Sequence, residues 1–264
     1  MRIVVKVGSS TLTHATGQLN IRRVETLCKV MSDLKNAGHE MMLVSSGAIA
    51  MGLGKLSLKE RPQDIPTKQA TAAVGQCAIM HLYDQLFSEY NVTAAQILLT
   101  GEDIGERERA ENLHATFSAL LSMGVIPVVN ENDSVSSAEL ETAHYKVLGD
   151  NDTLSALVAS LVDADLLILL SDIDGLYNKN PREYPDAKLI HTVTELTDDI
   201  KAMAGGTGTW RGTGGMVTKL SAAELAMKSG FDMVITNGSR VEDIYDIVDG
   251  LEIGTRFIAK EEKP

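Results

Sequence analysis

A chain of 264 residues, 44% hydrophobic and 23% charged, is long enough for one large α/β domain or two small ones and has an ordinary globular composition. A formal net charge of -12 argues against nucleic acid as a partner, and the isolated Cys28 and Cys77 argue against a zinc site or a disulfide framework and fit a reducing cytosol. The N-terminus has no apolar signal region and no apolar run reaches membrane-spanning length, so the expectation is a cytoplasmic protein without membrane contact.

The first predicted element is a short buried strand, Ile3 to Val7, interrupted by Lys6. A lysine in an apolar strand is costly unless it meets an anion, although an edge strand with a snorkelling lysine would read the same way. Gly8, Ser9 and Ser10 follow as a turn that lets backbone approach a ligand. Asn20 caps a helix carrying Ile21, Val24, Leu27, Cys28, Met31 and Leu34, and Gly38 ends it. The strand from Glu40 to Val44 runs into Ser45, Ser46 and Gly47, a second small-residue turn before a helix. Residues 55 to 66, with Pro62 and Pro66, read as a surface connection, and Thr67 opens a long helix to Leu86. Its Ala70, Ala73, Val74, Gly75 and Ala78 permit close packing, either in the core or between subunits.

A strand from Val92 to Leu99, a helix from Glu106 to Met123 and a strand from Val125 to Val129 come next. The last of these exits into Asn130, Glu131, Asn132 and Asp133, more polar side chains than a turn requires, at the strand edge where open α/β sheets bind ligands. Residues 134–148 lack periodicity and suggest a flap. Gly149, Asp150, Asn151 and Asp152 then precede a helix bearing Leu154, Leu157, Val158 and Leu161; Asn151 or Asp152 would serve as its cap. Leu166 to Leu170 is the most apolar strand and feeds Ser171, Asp172, Asp174 and a turn at Gly175. The glycine-rich run 205–215 leads into a helix from Met216 to about Lys228 that carries Lys219 near its start. Converging N–H groups and a helix N-terminus make this a phosphate cradle. A strand at Met233 to Thr236, a helix at Val241 to Val248 and a strand at Thr255 to Ile258 complete one doubly wound α/β domain.

No Walker loop, dinucleotide fingerprint, protein-kinase set or Gly-x-Ser-x-Gly elbow is present. Two lysines at glycine turns with nearby carboxylates suit phosphoryl transfer, in which negative charge gathers on the moving group. An acceptor that is itself a carboxylate makes cations on both sides essential.

The segments Lys6 to Ser10, Val44 to Ala50, Val129 to Asp133, Gly149 to Ser155, Leu170 to Tyr177 and Gly212 to Lys219, in this order over nearly the whole chain, resemble the amino acid kinase family. The Asn-Glu-Asn-Asp and Gly-Asp-Asn-Asp pair resembles its glutamate-phosphorylating branch rather than those acting on aspartate, acetylglutamate, carbamate or uridylate. The resemblance implies a three-layer α/β/α sandwich around an open, mainly parallel eight-stranded sheet. Residues 1–160 would form an amino-acid-substrate half and 161–264 an ATP-binding half. It also implies ATP-dependent phosphorylation of the side-chain carboxylate of L-glutamate for proline biosynthesis. Lys6 and Lys219 would stabilise the moving phosphoryl group, with Asp152 organising both.

Further implications concern binding. Ser46, Gly47, Asp133, Asp150 and Asn151 would hold glutamate. Lys6, Gly8, Ser9, Ser171, Asp172, Thr213, Gly214, Gly215, Met216, Val217, Thr218 and Lys219 would hold ATP, with Mg²⁺ carried on its phosphates rather than in a protein cage. Proline is the implied feedback inhibitor, the next enzyme of proline synthesis a partner, and a homo-oligomer the expected assembly. Another acceptor on the same fold and a non-catalytic ATP or amino-acid sensor are the competing readings. Many members of the family carry a C-terminal PUA domain, and this chain ends about where the kinase domain ends. Ser171 stands where threonine is common, and Trp210 and Arg211 where small residues are usual.

Overall fold

The computed structural model describes residues 1–14, 18–135, 150–204 and 215–259. The first half runs β1 (Arg2–Val7), α1 (Ser9–Leu12), α2 (Ile21–Asn36), β2 (Glu40–Ser45), α3 (Ala48–Lys55), α4 (Ile65–Ser88), β3 (Ala94–Leu99), α5 (Gly101–Gly105), α6 (Arg107–Ser122) and β4 (Ile126–Glu131). The second runs α7 (Asn151–Leu161), β5 (Leu166–Ser171), β6 (Thr192–Val193), α8 (Asp198–Ala204), α9 (Met216–Ser229), β7 (Asp232–Asn237), α10 (Asp243–Val248) and β8 (Thr255–Phe257).

The eight strands form one open sheet in the order β3-β4-β2-β1-β5-β7-β8-β6. Only the β7–β8 pair is antiparallel. The expected mainly parallel eight-stranded sheet is what the chain forms. Alternate residues of a strand point to opposite faces, so Ile3, Val5 and Val7 join a core with the buried sides of α2, α4 and α10. Val4 joins the opposite core with α6, α7 and α9. Lys6, two residues on from Val4, therefore faces α7. The order also contains a switch point: β2 lies on one side of β1 and β5 on the other, and a crevice opens beyond the carboxyl ends of these strands.

Several boundaries differ from the sequence expectations for identifiable reasons. Gly8 is followed by the short helix α1 rather than a plain turn; its φ of -88° is open to any residue. The long helix α4 begins two residues early because Asp64 caps it, accepting from Thr67 N–H at 2.9 Å, and Pro66 sits in its first turn, where proline is tolerated. The α7 cap is Asp150, whose carboxylate accepts from Asp152 N–H at 3.0 Å; this corrects the assignment to Asn151 or Asp152 and leaves both side chains for other work. Helices α5 and α8 and strand β6 were not expected, because they are short and carry little periodicity. The expected flap falls mostly on 136–149, and Thr213, Gly214, Trp210 and Arg211 also lie outside the described residues.

The α3–α4 crossing is closer than side chains would allow. A Cβ on Gly75 would lie 1.7 Å from the carbonyl oxygen of Ala48, and one on Gly52 would lie 1.9 Å from that of Thr71. Gly75 thus serves packing within the chain, whereas Ala70, Ala73 and Val74 stay exposed. Since the obstacle is backbone on both sides, Gly75→Ala must push two helices apart. The expected loss is about 3 kcal/mol, at the upper end for overpacking, or roughly 6–12 °C in Tm for a chain of this size. Gly54→Ala, in open space on the same α3, should change Tm little. Melting curves of the two variants check this, and similar Tm values for both would contradict it.

Candidate active site

The crevice at the switch point holds a cleft of about 540 Å³. Its walls come from the ends of β1, β2, β4 and β5 and the starts of α3, α7 and α9. At its floor Asp152 is fully buried. Lys6 Nζ lies 2.6 Å from its Oδ1 and Lys219 Nζ 3.0 Å from its Oδ2. Both lysines are themselves buried. The Thr218 hydroxyl, 3.2 Å from the same Oδ2, completes the shell, and it also lies 2.8 Å from Gly215 O at the start of α9. The three charged groups come from β1, α7 and α9 and meet because Lys6 occupies the α7-facing register position of β1.

The electrostatics follow from this geometry. Burial pushes the Asp152 carboxyl up, but the Lys6 and Lys219 charges together outweigh it and hold the group below its usual range. Asp150 moves the other way, raised by burial and by the Asp152 charge beside it. Asp133 is raised by burial, with Arg61 partly offsetting the shift. The floor thus has two ammoniums sharing one carboxylate, an excess of positive charge suited to an anion.

A polar relay fixes the cleft wall that carries Ser46 and Asn151. The Asn151 amide donates to Ser46 Oγ at 2.6 Å and to Asn130 Oδ1 at 3.2 Å, and Asn130 in turn donates to Gln76 Oε1 at 2.8 Å. Ser45 Oγ and the buried Tyr83 hydroxyl are 2.8 Å apart. Gly47 takes a φ of +101°, the left-handed conformation from which α3 starts on the cleft wall. Among the described residues the start of α9 has no side-chain cap and no acidic residue in its first turn, features that favour an anion at a helix N-terminus.

Of the residues expected from sequence, Lys6, Gly8, Ser9, Ser46, Gly47, Asp133, Asp150, Asn151, Asp152, Ser171, Asp172 and Lys219 all line the cleft. Gly215, Met216 and Val217 do not; Met216 packs against the core and Val217 points outward. Thr218 reaches the site through Asp152. Sequence reasoning did not assign Gln76 or Asn130 as site residues. Asn130 was visible in the polar exit of its strand, but Gln76 lies on a helix and carried no local signal. It also missed Arg61, Lys68 and Gln69, which line the outer wall.

The family model described as Amino acid kinase family matches residues 1–237. The chain belongs to the amino acid kinase family. Among curated members of the amino acid kinase family, the chain is 53% identical to the glutamate 5-kinase of Clostridium perfringens, over 98% of this chain and 96% of that protein. It is 54% identical to that of Clostridium acetobutylicum, over 98% and 95%. The glutamate 5-kinase of Carboxydothermus hydrogenoformans is 53% identical over 99% of this chain, which spans 69% of that longer protein. Among solved structures, the carbamate kinase of Giardia lamblia bound to AMP-PNP superposes with a TM-score of 0.68 at 17% identity, covering 98% of each chain. The UMP kinase of Ureaplasma parvum gives 0.63 at 12%, covering 96% of this chain and 97% of that one. These two establish the amino acid kinase fold.

Asp152 is the point at which the site is most easily broken. Asp152→Asn would leave two buried ammoniums without their counter-charge, and breaking such a pair typically costs about 3–5 kcal/mol. A depressed carboxyl contributes stability that is complete above its unfolded value, 3.8, and is lost as pH falls through the lower folded value. The Tm gap between the unsubstituted protein and Asp152→Asn should therefore be wide at pH 7 and narrow below pH 3.8. Inorganic phosphate should narrow it at pH 7 by supplying the missing charge. Equal Tm values at pH 7 would contradict the ion-pair assignment.

Proposed function

We propose that the protein transfers the γ-phosphoryl group of ATP to the side-chain carboxylate of L-glutamate, giving L-glutamyl 5-phosphate for proline biosynthesis. The observation that carries this reading is the buried Asp152 carboxylate between Lys6 and Lys219 at the floor of the cleft. It occurs in a chain more than half identical to glutamate 5-kinases over almost its full length. A glutamate carboxylate oxygen attacks the γ-phosphorus, the bond from phosphorus to the ADP oxygen breaks, and ADP leaves with the electron pair. Lys6 and Lys219 meet the charge on the moving group, and Asp152 fixes their ammoniums so that little reorganisation is needed during transfer.

The two sides of the switch point divide the work. The strands of residues 1–160, β1 to β4, stand together on one side of the sheet and β5 to β8 on the other. On this reading the first side holds glutamate through Ser46, Gly47, Asp133, Asp150 and Asn151. The second holds ATP through Ser171, Asp172 and the start of α9, with Lys6, Gly8 and Ser9 contributing from β1. Asp133 suits the substrate ammonium by charge. Mg²⁺ would enter with ATP and would supply charge neutralisation at its phosphates, and Asp150 and Asp172, both on the cleft wall, would be the carboxylates available to it. Among the described residues no group of three or more His, Cys, Asp or Glu side chains is placed to hold a metal ion, and no helix is long and apolar enough to cross a membrane. The reaction belongs in the cytoplasm, where both substrates are found. A homo-oligomer is the assembly this reading expects, and the enzyme that consumes the acyl phosphate is the expected partner.

With ATP, Mg²⁺ and hydroxylamine as trap, glutamate should give hydroxamate. Aspartate, one methylene shorter, should react on the order of 100-fold more slowly, because the shorter reach misplaces the attacking oxygen by about 1 Å. Equal rates would overturn the choice of acceptor. Lys219→Ala should lower kcat by about 100-fold, the loss of roughly 3 kcal/mol typical for one such donor, with a much smaller change in KM for glutamate. A near-normal kcat would remove Lys219 from the chemistry. Proline, which shares the α-carboxylate and α-amine of glutamate, should inhibit, and saturating glutamate should relieve the inhibition; inhibition that glutamate cannot relieve would place proline at a separate site.

A further inference from the structure

The proposed site gives partners to two of the three charged groups of glutamate. The side-chain carboxylate meets Lys6 and Lys219, and the ammonium meets Asp133. The α-carboxylate has none so far. It is bonded to the same carbon as the ammonium, so its partner must stand beside Asp133 and away from the lysine floor. Besides Lys6 and Lys219, the arginine and lysine side chains lining the described part of the cleft are Arg61 and Lys68. Arg61 lies in the connection between α3 and α4, and Lys68 in the first turn of α4. Both lie on the wall that also carries Ile65 and Gln69, and the Arg61 charge acts directly on the Asp133 carboxyl. Arg61 is exposed, so it is available to an entering substrate, and Lys68 is half-buried.

We propose that Arg61 binds the α-carboxylate of the amino-acid substrate, with Lys68 reinforcing the positive potential, so that Arg61 and Asp133 together select a zwitterionic α-amino acid head. A guanidinium suits this task because its planar fork matches a carboxylate with two parallel N–H donors, which a lysine does not. The pairing also explains an arginine at the mouth of a cleft whose phosphoryl chemistry is already served by two cations. Before substrate arrives, Arg61 sits near Asp133 with the charges opposed; the amino acid inserts between them and presents each with its complement. The proposal rests on the glutamate reading above and deepens it.

Three ligands separate the contributions: glutamate has all three charges, glutarate lacks only the ammonium, and γ-aminobutyrate lacks only the α-carboxylate. Their affinities are to be measured by calorimetry on the unsubstituted protein and on Arg61→Ala, Arg61→Lys and Lys68→Ala, alongside hydroxamate kinetics with glutamate. Arg61→Ala should weaken glutamate and glutarate by roughly 10- to 100-fold, the range for one charge-assisted contact, and leave γ-aminobutyrate within about twofold, since a ligand without the group cannot lose its contact. KM for glutamate should rise by a similar factor with kcat moving far less. Arg61→Lys should recover part of the loss, and Lys68→Ala should cost less than Arg61→Ala. Equal weakening of all three ligands would mean a general change of fold or potential and would overturn the proposal, as would unchanged glutamate binding. Failure of the unsubstituted protein to form hydroxamate from glutamate would overturn the function proposed above; the calorimetric comparison would still decide the role of Arg61.

Discussion

Everything at the site depends on one buried carboxylate. Asp152 has no exposure to solvent and stands between two ammoniums drawn from opposite ends of the chain. Each lysine alone would be expensive at its position, because burying an unpaired charge costs several kcal/mol. The arrangement is acceptable because the three charges are solved together, with two ammoniums sharing one carboxylate at the floor of the cleft. Paired cations of this kind suit a phosphoryl group moving between two anionic oxygens. The stability of the floor and its proposed chemistry are therefore the same electrostatic fact seen in two states of the molecule.

The fold supplies the precision. Lys6 reaches Asp152 because strand alternation turns it to the α7 side, while Val5 and Val7 are buried in the opposite core. Parallel pairing of β1 with β2 and β5 brings Ser45, Ser46, Leu170 and Ser171 to the same edge. Helices α3 and α7 begin at that edge on the cleft wall, and α9 contributes Lys219 from its first turn. The relay from Asn151 through Asn130 to Gln76 then locks this wall of the cleft to α4. Close approach of α3 and α4 at Gly52 and Gly75 keeps this wall near the sheet.

Much of this was legible in the sequence, and the parts that were not share a cause. Lys6 stood out because it interrupts an apolar strand, and the polar exits at 130–133 and 150–152 stood out because they exceed what turns need. Residue patterns along the chain carry this information locally. Asp152 was expected between the lysines, but the α7 cap was not legible: it is Asp150 and neither Asn151 nor Asp152, a division set by the direction in which the first turn points these side chains. Gln76 and Arg61 belong to the site only through distant contacts, and nothing in their own neighbourhoods marks them. Short elements such as α1 and β6 escaped for a related reason: four or fewer residues carry no period.

The central claim is that the site joins the γ-phosphorus of ATP directly to an oxygen of the substrate carboxylate. Glutamate labelled with ¹⁸O in both side-chain carboxylate oxygens tests it. Hydroxylamine attacks the carbonyl carbon of the acyl phosphate and expels phosphate together with the bridging oxygen. Phosphate recovered after trapping and examined by ³¹P NMR should therefore carry one ¹⁸O atom for each hydroxamate formed. Phosphate without ¹⁸O would mean that water, and not glutamate, accepts the phosphoryl group, and would contradict the account.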